Sequence, residues 1–331
     1  MDKPLVSIGI PAYNRPDRLR MTLQYIRDQT YPNLEVIVSD DCSPSDGVAQ
    51  VVRDAILSGQ QIQFFRQHEN IGATRNFEFV LTKATGKYFL WAEDEDSCEP
   101  EFVEKLAGCM ETQPDLVACT CDVNAVDMHD HLIWTTRLDT VRPSEDWSEA
   151  RKLFFRYPTS NIYFFILGIF RTDILKKSNI HYLVGWKGYG SNGEVCFLAQ
   201  IAVLGRMAAI PETLKSYRLN PDSIYHAEQQ SISQFDLSMQ NLVIRFRLCK
   251  IAVMCDLPIR VRLSLLNSIF VSFVEEVKKM GVIMGAVRYM SVVMESARRI
   301  GVMSNPMVWL GRAKIFLKKL IKRLLKRLHL I

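Results

Sequence analysis

Apolar residues in the first 121 positions form short runs that alternate with helically spaced sets. Largely apolar runs of this kind are typical of buried strands. Between them, apolar side chains recur every three or four residues, which predicts a helix in each gap. The alternation predicts an α/β fold with a mostly parallel, doubly wound sheet and helices on both faces. The predicted strands are Leu5–Ile10, Leu34–Val38, Ile62–Phe65, Tyr88–Trp91 and Leu116–Cys121.

The pattern changes in the second half of the chain. Residues Asn161 to Phe170 are aromatic and apolar and predict a further strand. Helical spacing then dominates from Asp222 to about Asn305. We therefore expect an α/β domain over residues 1–225, a helical C-terminal extension over 226–305 and a separate segment over 306–331.

Composition places the chain among globular proteins. Of its 331 residues, 48% are hydrophobic and 23% charged, enough to bury a large core. The eight cysteines show no CxxC spacing, which favours a reducing, cytosolic location. Residues Met1 to Pro4 lead directly into a strand, so we expect no signal peptide. The longest uncharged apolar stretch, Leu263 to Val274, is too short to cross a bilayer.

The net charge of +5 belongs to the C-terminal end. Residues 311–331 contain eight Lys or Arg and no acid, which leaves 33 basic against 36 acidic residues elsewhere. Leucines and isoleucines follow helical spacing between these charges, as in an amphipathic helix that lies on an anionic membrane surface. The alternative is a helix that docks on the protein or on a second subunit. The acidic body argues against a nucleic-acid-binding protein.

Four consecutive acids, Glu93 to Asp96, follow the apolar run that ends at Trp91. Adjacent carboxylates repel one another unless a positive partner lies among them. Hard divalent cations such as Mn²⁺ or Mg²⁺ prefer carboxylate oxygens. The cluster therefore predicts a metal site, with an acidic surface turn as the alternative.

Two further polar segments follow predicted strands, residues 11–14 and the pair Asp40-Asp41. Parallel sheets bind ligands at the carboxyl ends of their strands. These segments and the acidic cluster are therefore expected at one edge of the sheet.

Five segments of the chain form an ordered set. They are Val6–Asn14, Val36–Ser43, Asn70–Asn76, Gly86–Asp96 and Tyr217–Ser223. In this order they resemble the inverting glycosyltransferases of the A-type fold (GT-A), the family 2-like enzymes that build bacterial polysaccharides. The resemblance covers roughly residues 4 to 225 and implies transfer of a sugar from a nucleotide donor with inversion at the anomeric carbon.

The resemblance implies that Asp41, with Asp40 beside it, accepts a hydrogen bond from the nucleobase. A carboxylate can accept from the imide N–H of uracil. Pro11, Tyr13 and Asn14 are candidates for lining the base or ribose pocket. The alternatives are an aspartate turn or helix cap at 40–41 and ordinary packing for Tyr13.

Asp94 is expected to contact the ribose or the metal, and Glu95 and Asp96 compete for the metal-ligand position. The chain has Glu95 where the family usually has aspartate. Arg75 could bind the diphosphate, since a guanidinium matches phosphate oxygens. Its alternative is a solvated charge on a helix.

Glu194 occupies the place where the family carries its catalytic base, although Val195 stands where a second acid often follows. A base is needed to take the proton of the acceptor hydroxyl. The alternative is a first-turn glutamate that stabilises a helix N-terminus. Trp186 and Tyr189, in a Gly-rich segment, are candidates for stacking on an acceptor sugar.

These inferences predict a metal-dependent inverting glycosyltransferase that uses a nucleotide sugar, with UDP-sugar favoured. The acceptor would be a hydroxyl of a bacterial cell-surface glycan or a lipid-linked intermediate. The protein would be cytoplasmic and peripheral on the inner face of the cell membrane, and it could form oligomers. The rival functions are a nucleotidyltransferase and a non-catalytic protein that binds sugar or membrane.

Overall fold

A computed structural model describes the chain in five stretches, residues 3–93, 97–156, 161–178, 193–219 and 234–280. The chain divides into two compact units, residues 1–273 and 274–331. Of the second unit, the structure describes residues 274–280, the end of a helix. The predicted basic helix over 306–331, the predicted boundary at 225, and Trp186 and Tyr189 all lie outside the described residues, and those assignments stay predictions.

The first half is the predicted alternation of strands and helices. Four parallel strands form one side of the sheet in the order β3-β2-β1-β4. The strands are β1 (Val6–Ala12), β2 (Leu34–Asp40), β3 (Ile62–Arg66) and β4 (Tyr88–Trp91), and the helices between them are α1 (Pro16–Arg27), α2 (Gly47–Leu57) and α3 (Ala73–Lys83).

The strand order reverses between β1 and β4. The chain passes from β1 to β2 and β3 in one direction and then crosses back through α3 to β4, on the other side of β1. Such a reversal opens a crevice beyond the carboxyl ends of the two strands, where α/β proteins bind ligands.

The second half widens the sheet with mixed strands, in the order β4-β8-β6-β9-β5, and β7 pairs with β6. Strand β8 is antiparallel to both β4 and β6, so β6 runs parallel to β4 and ends at the same edge. The elements are β5 (Ser97–Cys98), α4 (Phe102–Thr112), β6 (Leu116–Val126), β7 (Leu132–Thr136), α5 (Trp147–Leu153), β8 (Ile169–Arg171), α6 (Thr172–Lys177), α7 (Gly193–Leu204), β9 (Arg206–Arg218), α8 (Gln234–Met254) and α9 (Ile259–Met280).

The predicted α/β fold is confirmed, with two corrections to its elements. The first strand, predicted to end at Ile10 before Pro11, continues through Pro11 to Ala12 and pairs with β2 there. Pro11 lies past the last residue of β1 that pairs with β4, Gly9, so its missing N–H costs no bond on that side. The predicted strand at 161–170 is a 3₁₀ helix over Asn161–Leu167 followed by β8. A continuous apolar run does not distinguish a buried strand from a buried helix.

Two apolar cores cover the two faces of the sheet. The first packs α1, α2 and α4 on one face. The second contains Trp91, the 3₁₀ helix, α7 and parts of α8 and α9. The helices after residue 233 therefore begin by packing against the same core as α7. None of the helices described here is long and apolar enough to cross a membrane.

Candidate functional site

The turns that follow β1 and β2 are bound to each other. The backbone N–H of Asp41 donates to the carbonyl of Ala12 at 2.9 Å, and that of Asn14 donates to the hydroxyl of Ser43 at 2.8 Å. Asn14 and Cys42 both have a left-handed backbone, with φ of 53° and 59°. Left-handed residues are uncommon outside glycine and often occur at functional turns. The result is a fixed double turn beside the crevice.

Asp40 organises this double turn from inside. Its side chain is fully buried, and one oxygen accepts from both the backbone N–H and the hydroxyl of Ser43. Its other oxygen lies 3.4 Å from Nε of Arg66 and has no hydrogen bond. Arg66 also binds Asp46 at 2.6 Å, and that hydrogen bond lowers the pKa of Asp46. The position of Asp40 fits the turn-forming role, while its contribution to nucleobase binding stays a prediction.

Asp41 links the double turn to the start of α3. Its two oxygens accept from the backbone N–H groups of Ile71, at 2.7 Å, and Gly72, at 3.0 Å. Gly72 has a φ of 84°, which favours glycine at this position. The carboxylate is 3% exposed. Each oxygen keeps a second lone pair, so the predicted nucleobase contact is compatible with these bonds.

Among the predicted site residues, Tyr13, Asn14 and Arg75 are exposed at this edge. Tyr13 is 45% exposed beside the half-buried Pro11. Arg75 lies in the first turn of α3 and forms no ion pair with any described carboxylate. The indole N–H of Trp91 donates to the carbonyl of Phe77 at 3.1 Å, which fixes the start of α3 to the end of β4. The start of α3, which carries Arg75, is therefore fixed beside the end of β4.

Glu194 lies in the first turn of α7, and this helix contacts the end of β4 through Phe197. Glu194 lies one helical turn before Phe197, whose ring centroid is 6.0 Å from that of Trp91. Apart from Glu194 and Gln200, helix α7 consists of apolar residues and glycine, most of them buried, and Glu194 is its one charged residue. Glu194 is partly exposed and has polar or electrostatic contacts of its own. The contact brings the start of α7 toward the end of β4.

The acidic cluster begins where β4 ends. The N–H of Ala92 donates to the carbonyl of Gly9 at 3.0 Å, and the carbonyl of Glu93 accepts from Thr22 at 3.4 Å. Asp94, Glu95 and Asp96 lie outside the described residues, and the described chain continues with β5, which begins at Ser97. Among the described residues, no three His, Cys, Asp or Glu side chains come together as a metal site. Metal binding by the cluster stays a prediction.

Two residues that hold the double turn were not singled out by the sequence analysis, Ser43 within the turn and Arg66 at the end of β3. Ser43 carries a signal, because a hydroxyl three residues after an aspartate is typical of an aspartate turn. Arg66 carries none, since it reaches Asp40 only through the pairing of β2 with β3.

Comparison with known proteins identifies the family. Residues 7–178 match the family model "Glycosyl transferase family 2". The chain belongs to this glycosyltransferase family. An uncharacterized glycosyltransferase of Haemophilus influenzae is 26% identical over 244 residues, which are 70% of this chain and 71% of the relative. The putative teichuronic acid biosynthesis glycosyltransferase TuaG of Bacillus subtilis is 32% identical over 31% of this chain and 40% of its own length.

Solved structures confirm the GT-A-like fold. TarS 1-349 of S. aureus in complex with UDP-GlcNAc superposes with a TM-score of 0.64 at 15% identity, over 88% of this chain and 80% of that one. The mannosyltransferase PcManGT of Pyrobaculum calidifontis, in complex with GDP-Man and Mn²⁺, gives 0.54 at 16% identity, over 98% and 88%. At these identities the likeness establishes the fold alone.

Proposed function

We propose that this glycosyltransferase moves a sugar, with inversion, from a UDP-sugar to a hydroxyl of a bacterial cell-surface glycan or its lipid-linked precursor. The observation that carries the proposal is the fixed double turn of Asp40, Asp41 and Ser43 at the strand-order reversal. The acidic cluster begins beside it, at the end of β4. Donor site and reaction centre would thus share one crevice.

The relatives support the donor and the product class. TarS is described in complex with UDP-GlcNAc and PcManGT with GDP-Man, so nucleotide sugars bind to proteins of this fold. TuaG is named for teichuronic acid biosynthesis, a polysaccharide pathway. UDP is favoured over CDP because Asp41 presents an acceptor that matches the imide N–H of uracil, whereas the corresponding ring nitrogen of cytosine carries no hydrogen.

Different residues near the double turn would bind different parts of the donor. Asp41 would hold the base, and Tyr13 and Asn14, after Pro11, would border the base and ribose. Arg75 would bind the diphosphate, where a planar guanidinium matches two phosphate oxygens. Asp40 would maintain the conformation of the double turn by accepting hydrogen bonds from Ser43.

A divalent metal, Mn²⁺ or Mg²⁺, would be held by Asp94 with Glu95 or Asp96. The described carboxylates nearby do not compete for it, because Asp41 and Asp40 are engaged by the chain itself. When bound, the ion would offset the negative charge that grows on the leaving diphosphate.

Glu194 would act as the base. Its carboxylate would take the proton of the acceptor hydroxyl while the hydroxyl oxygen forms a bond to the anomeric carbon. The bond from that carbon to the diphosphate oxygen breaks on the opposite face, and UDP leaves. A single displacement of this kind inverts the anomeric carbon.

A thermal-shift screen of UDP-, GDP-, CDP- and dTDP-sugars, with and without Mn²⁺, tests donor and metal together. A ligand that binds the folded state raises the midpoint of unfolding. We expect stabilisation by a UDP-sugar with Mn²⁺ and its loss with EDTA. Release of labelled sugar or its transfer, with intact UDP as co-product, excludes both a nucleotidyltransferase and a non-catalytic binder. No stabilisation by any nucleotide sugar would contradict the proposal.

We further propose that the basic segment over residues 306–331 holds the enzyme to the inner face of the membrane. Each basic residue near an anionic surface contributes about 1 kcal/mol, so eight allow useful reversible binding. Deleting residues from Pro306 onward should abolish binding to phosphatidylglycerol vesicles and spare donor hydrolysis. Unchanged vesicle binding would contradict the proposal.

A further inference from the structure

The hairpin of β6 and β7 exposes three consecutive large apolar residues. Leu132, Ile133 and Trp134 are 60%, 49% and 45% exposed. Strand β7 pairs with β6, and its other edge pairs with no strand that the structure describes. Exposed apolar residues are ordinary when taken singly, so the role of Trp134 depends on where the strand pairing places it.

Strand pairing places this hairpin over the crevice. Residues 123–126 of β6 pair with β9 on one side and with β7 on the other, so β7 lies on the side of β6 that faces β4. Lower down, that side of β6 pairs with β8, which pairs in turn with β4. Strand β7 therefore lies beyond the carboxyl end of β4 and the amino end of the antiparallel β8, on the opposite side of the crevice from β2.

The pairing register gives the position of Trp134 along the strand direction. Phe89 of β4 and Ala118 of β6 share one level, because both pair with Phe170. Trp134 lies opposite Ala125, which is seven residues beyond Ala118, whereas Trp91 is two residues beyond Phe89. Trp134 therefore lies five residues further along the strand direction than Trp91. At ~3.3 Å per residue, that is about 16 Å beyond the end of β4. The space between them is where a donor sugar and an acceptor would meet.

Trp134 also faces the correct side. Residues that lie opposite each other in a sheet share a face, so Trp134, Ala125 and Tyr217 form a row across β7, β6 and β9. Tyr217 packs against the core that contains Trp91 and α7, with its ring 6.0 Å from that of Phe164. Trp134 is therefore on the sheet face that carries the helix of Glu194.

A β-bulge and a pinned turn fix this orientation. The pairing skips Ile133, so Leu132, opposite Val126, is placed on the other face from Trp134. Bulges re-aim side chains and are frequent beside active sites. The turn is held by Asp127, which accepts from the N–H groups of His129 and His131, and by the ion pair of Asp130 with the buried Arg218 at 2.7 Å.

We propose that Trp134 is the platform on which the acceptor sugar stacks. The proposal rests on the proposed function and adds a specific acceptor-binding residue to it. The C–H groups of one sugar face carry partial positive charge and fit the negative face of an indole ring. The bonds of Asp127 and Asp130 hold the turn of the hairpin that carries Trp134, and a backbone that is already ordered loses less freedom on binding.

The test uses the full chain labelled with ¹⁵N at the tryptophan indoles and saturated with UDP and Mn²⁺. Methyl β-glucoside, methyl β-galactoside, methyl N-acetyl-β-glucosaminide and their β-linked disaccharides are the probes. The Trp134 signal, assigned with Trp134→Phe, should move with at least one probe. Trp134→Ala should weaken the affinity for that probe about tenfold, Trp134→Phe less, and the matched control Leu132→Ala less than twofold.

Three results would overturn the platform. They are no movement of the Trp134 signal with any probe, an equal loss of affinity in Leu132→Ala, and a concentration-dependent dimer that buries Trp134 in sedimentation and fluorescence quenching. UDP affinity separates this proposal from the proposed function. If UDP binds and the Trp134 signal does not move with any probe, only the platform proposal is wrong. If UDP does not bind and the signal does not move, both the UDP-sugar donor and the platform are wrong.

Discussion

The two ends of β2 hold the sheet together in the same way but serve different purposes. At the amino end, the carboxylate of Glu35 accepts from Ser7 of β1, Gln63 of β3 and both the N–H and the hydroxyl of Thr85 before β4. At the carboxyl end, Asp40 accepts twice from Ser43 in the turn that binds the β1 turn. One carboxylate at each end thus links neighbouring segments.

The two carboxylates differ in how completely their oxygens are hydrogen-bonded. Both oxygens of Glu35 are hydrogen-bonded, whereas one oxygen of Asp40 is buried without a hydrogen bond. The carboxyl end also holds the left-handed Asn14 and Cys42. Strain and unsatisfied polar groups concentrate where proteins bind ligands. The comparison predicts that changes at the carboxyl end affect activity more than stability, and that changes at the amino end do the reverse.

The largest effect is expected from the acidic cluster. Replacing Asp94, Glu95 and Asp96 together by alanine should bring sugar transfer below detection, because the leaving diphosphate loses its counter-charge. Radiolabelled donor turnover measures the loss. The nearby exposed acids provide the control, since Glu99→Gln with Glu101→Gln should keep full activity. Transfer at wild-type rate in the triple variant would remove the metal from the mechanism.

The next effect belongs to the base. Glu194→Gln keeps the shape of the side chain but cannot take a proton, so kcat should fall about 10² to 10⁴-fold. The affinity for UDP should stay within twofold, as measured by calorimetry. Asp173→Asn, on the neighbouring α6, is the matched control and should leave kcat unchanged. A kcat that survives in Glu194→Gln would assign the base elsewhere and leave Glu194 as a helix-end charge.

The sequence predicts much of this carboxyl end, because strands and the turns that follow them are local. Runs such as Tyr88–Trp91 identify their strands, and the pairs that follow mark the edge. What it misses depends on pairing between distant segments. Arg66 meets Asp40 only because β3 lies beside β2, and Trp134 faces the crevice only because β7 pairs with the far end of β6.

Two other elements have apolar patterns that do not match their structures. The five-residue β7 exposes four of its side chains and so lacks the alternation that reveals a half-buried strand. The 3₁₀ helix at 161–167 is mostly buried, which gives it the apolar run of a strand. Neither element could be assigned without the tertiary structure around it.

A smaller effect should come from Asp41. Asp41→Asn replaces one accepting oxygen with an N–H₂ group that faces the N–H groups of Ile71 and Gly72, so the loop before α3 should loosen. The affinity for UDP should fall about tenfold, as expected for the loss of a charged hydrogen-bond acceptor. The control Asp46→Asn changes an exposed acid three residues after Ser43 and should bind UDP as the wild type does. An unchanged affinity in Asp41→Asn would leave Asp41 with a structural role only.

The smallest effect tests the amino end. Burial would raise the pKa of Glu35, but the hydrogen bonds from Ser7, Thr85 and Gln63 together lower it below its usual 4.5. A carboxylate whose pKa is lowered by folding stabilises the folded state above its unfolded-state pKa, and that contribution is lost as the pH falls through the folded-state pKa. Glu35→Gln should therefore lower the free energy of unfolding by about 1 kcal/mol at pH 7, since the group is partly solvated.

Urea denaturation of the wild type and Glu35→Gln, from pH 7 down to pH 3, measures this contribution. The difference between the two proteins should shrink below about pH 4.5, because protonated Glu35 no longer accepts as a charged group. The affinity for UDP at pH 7 should not change, since Glu35 lies at the edge of the sheet opposite the crevice. A variant that lost UDP binding along with stability would show that the two ends of β2 are coupled, and the division of labour between them would be wrong.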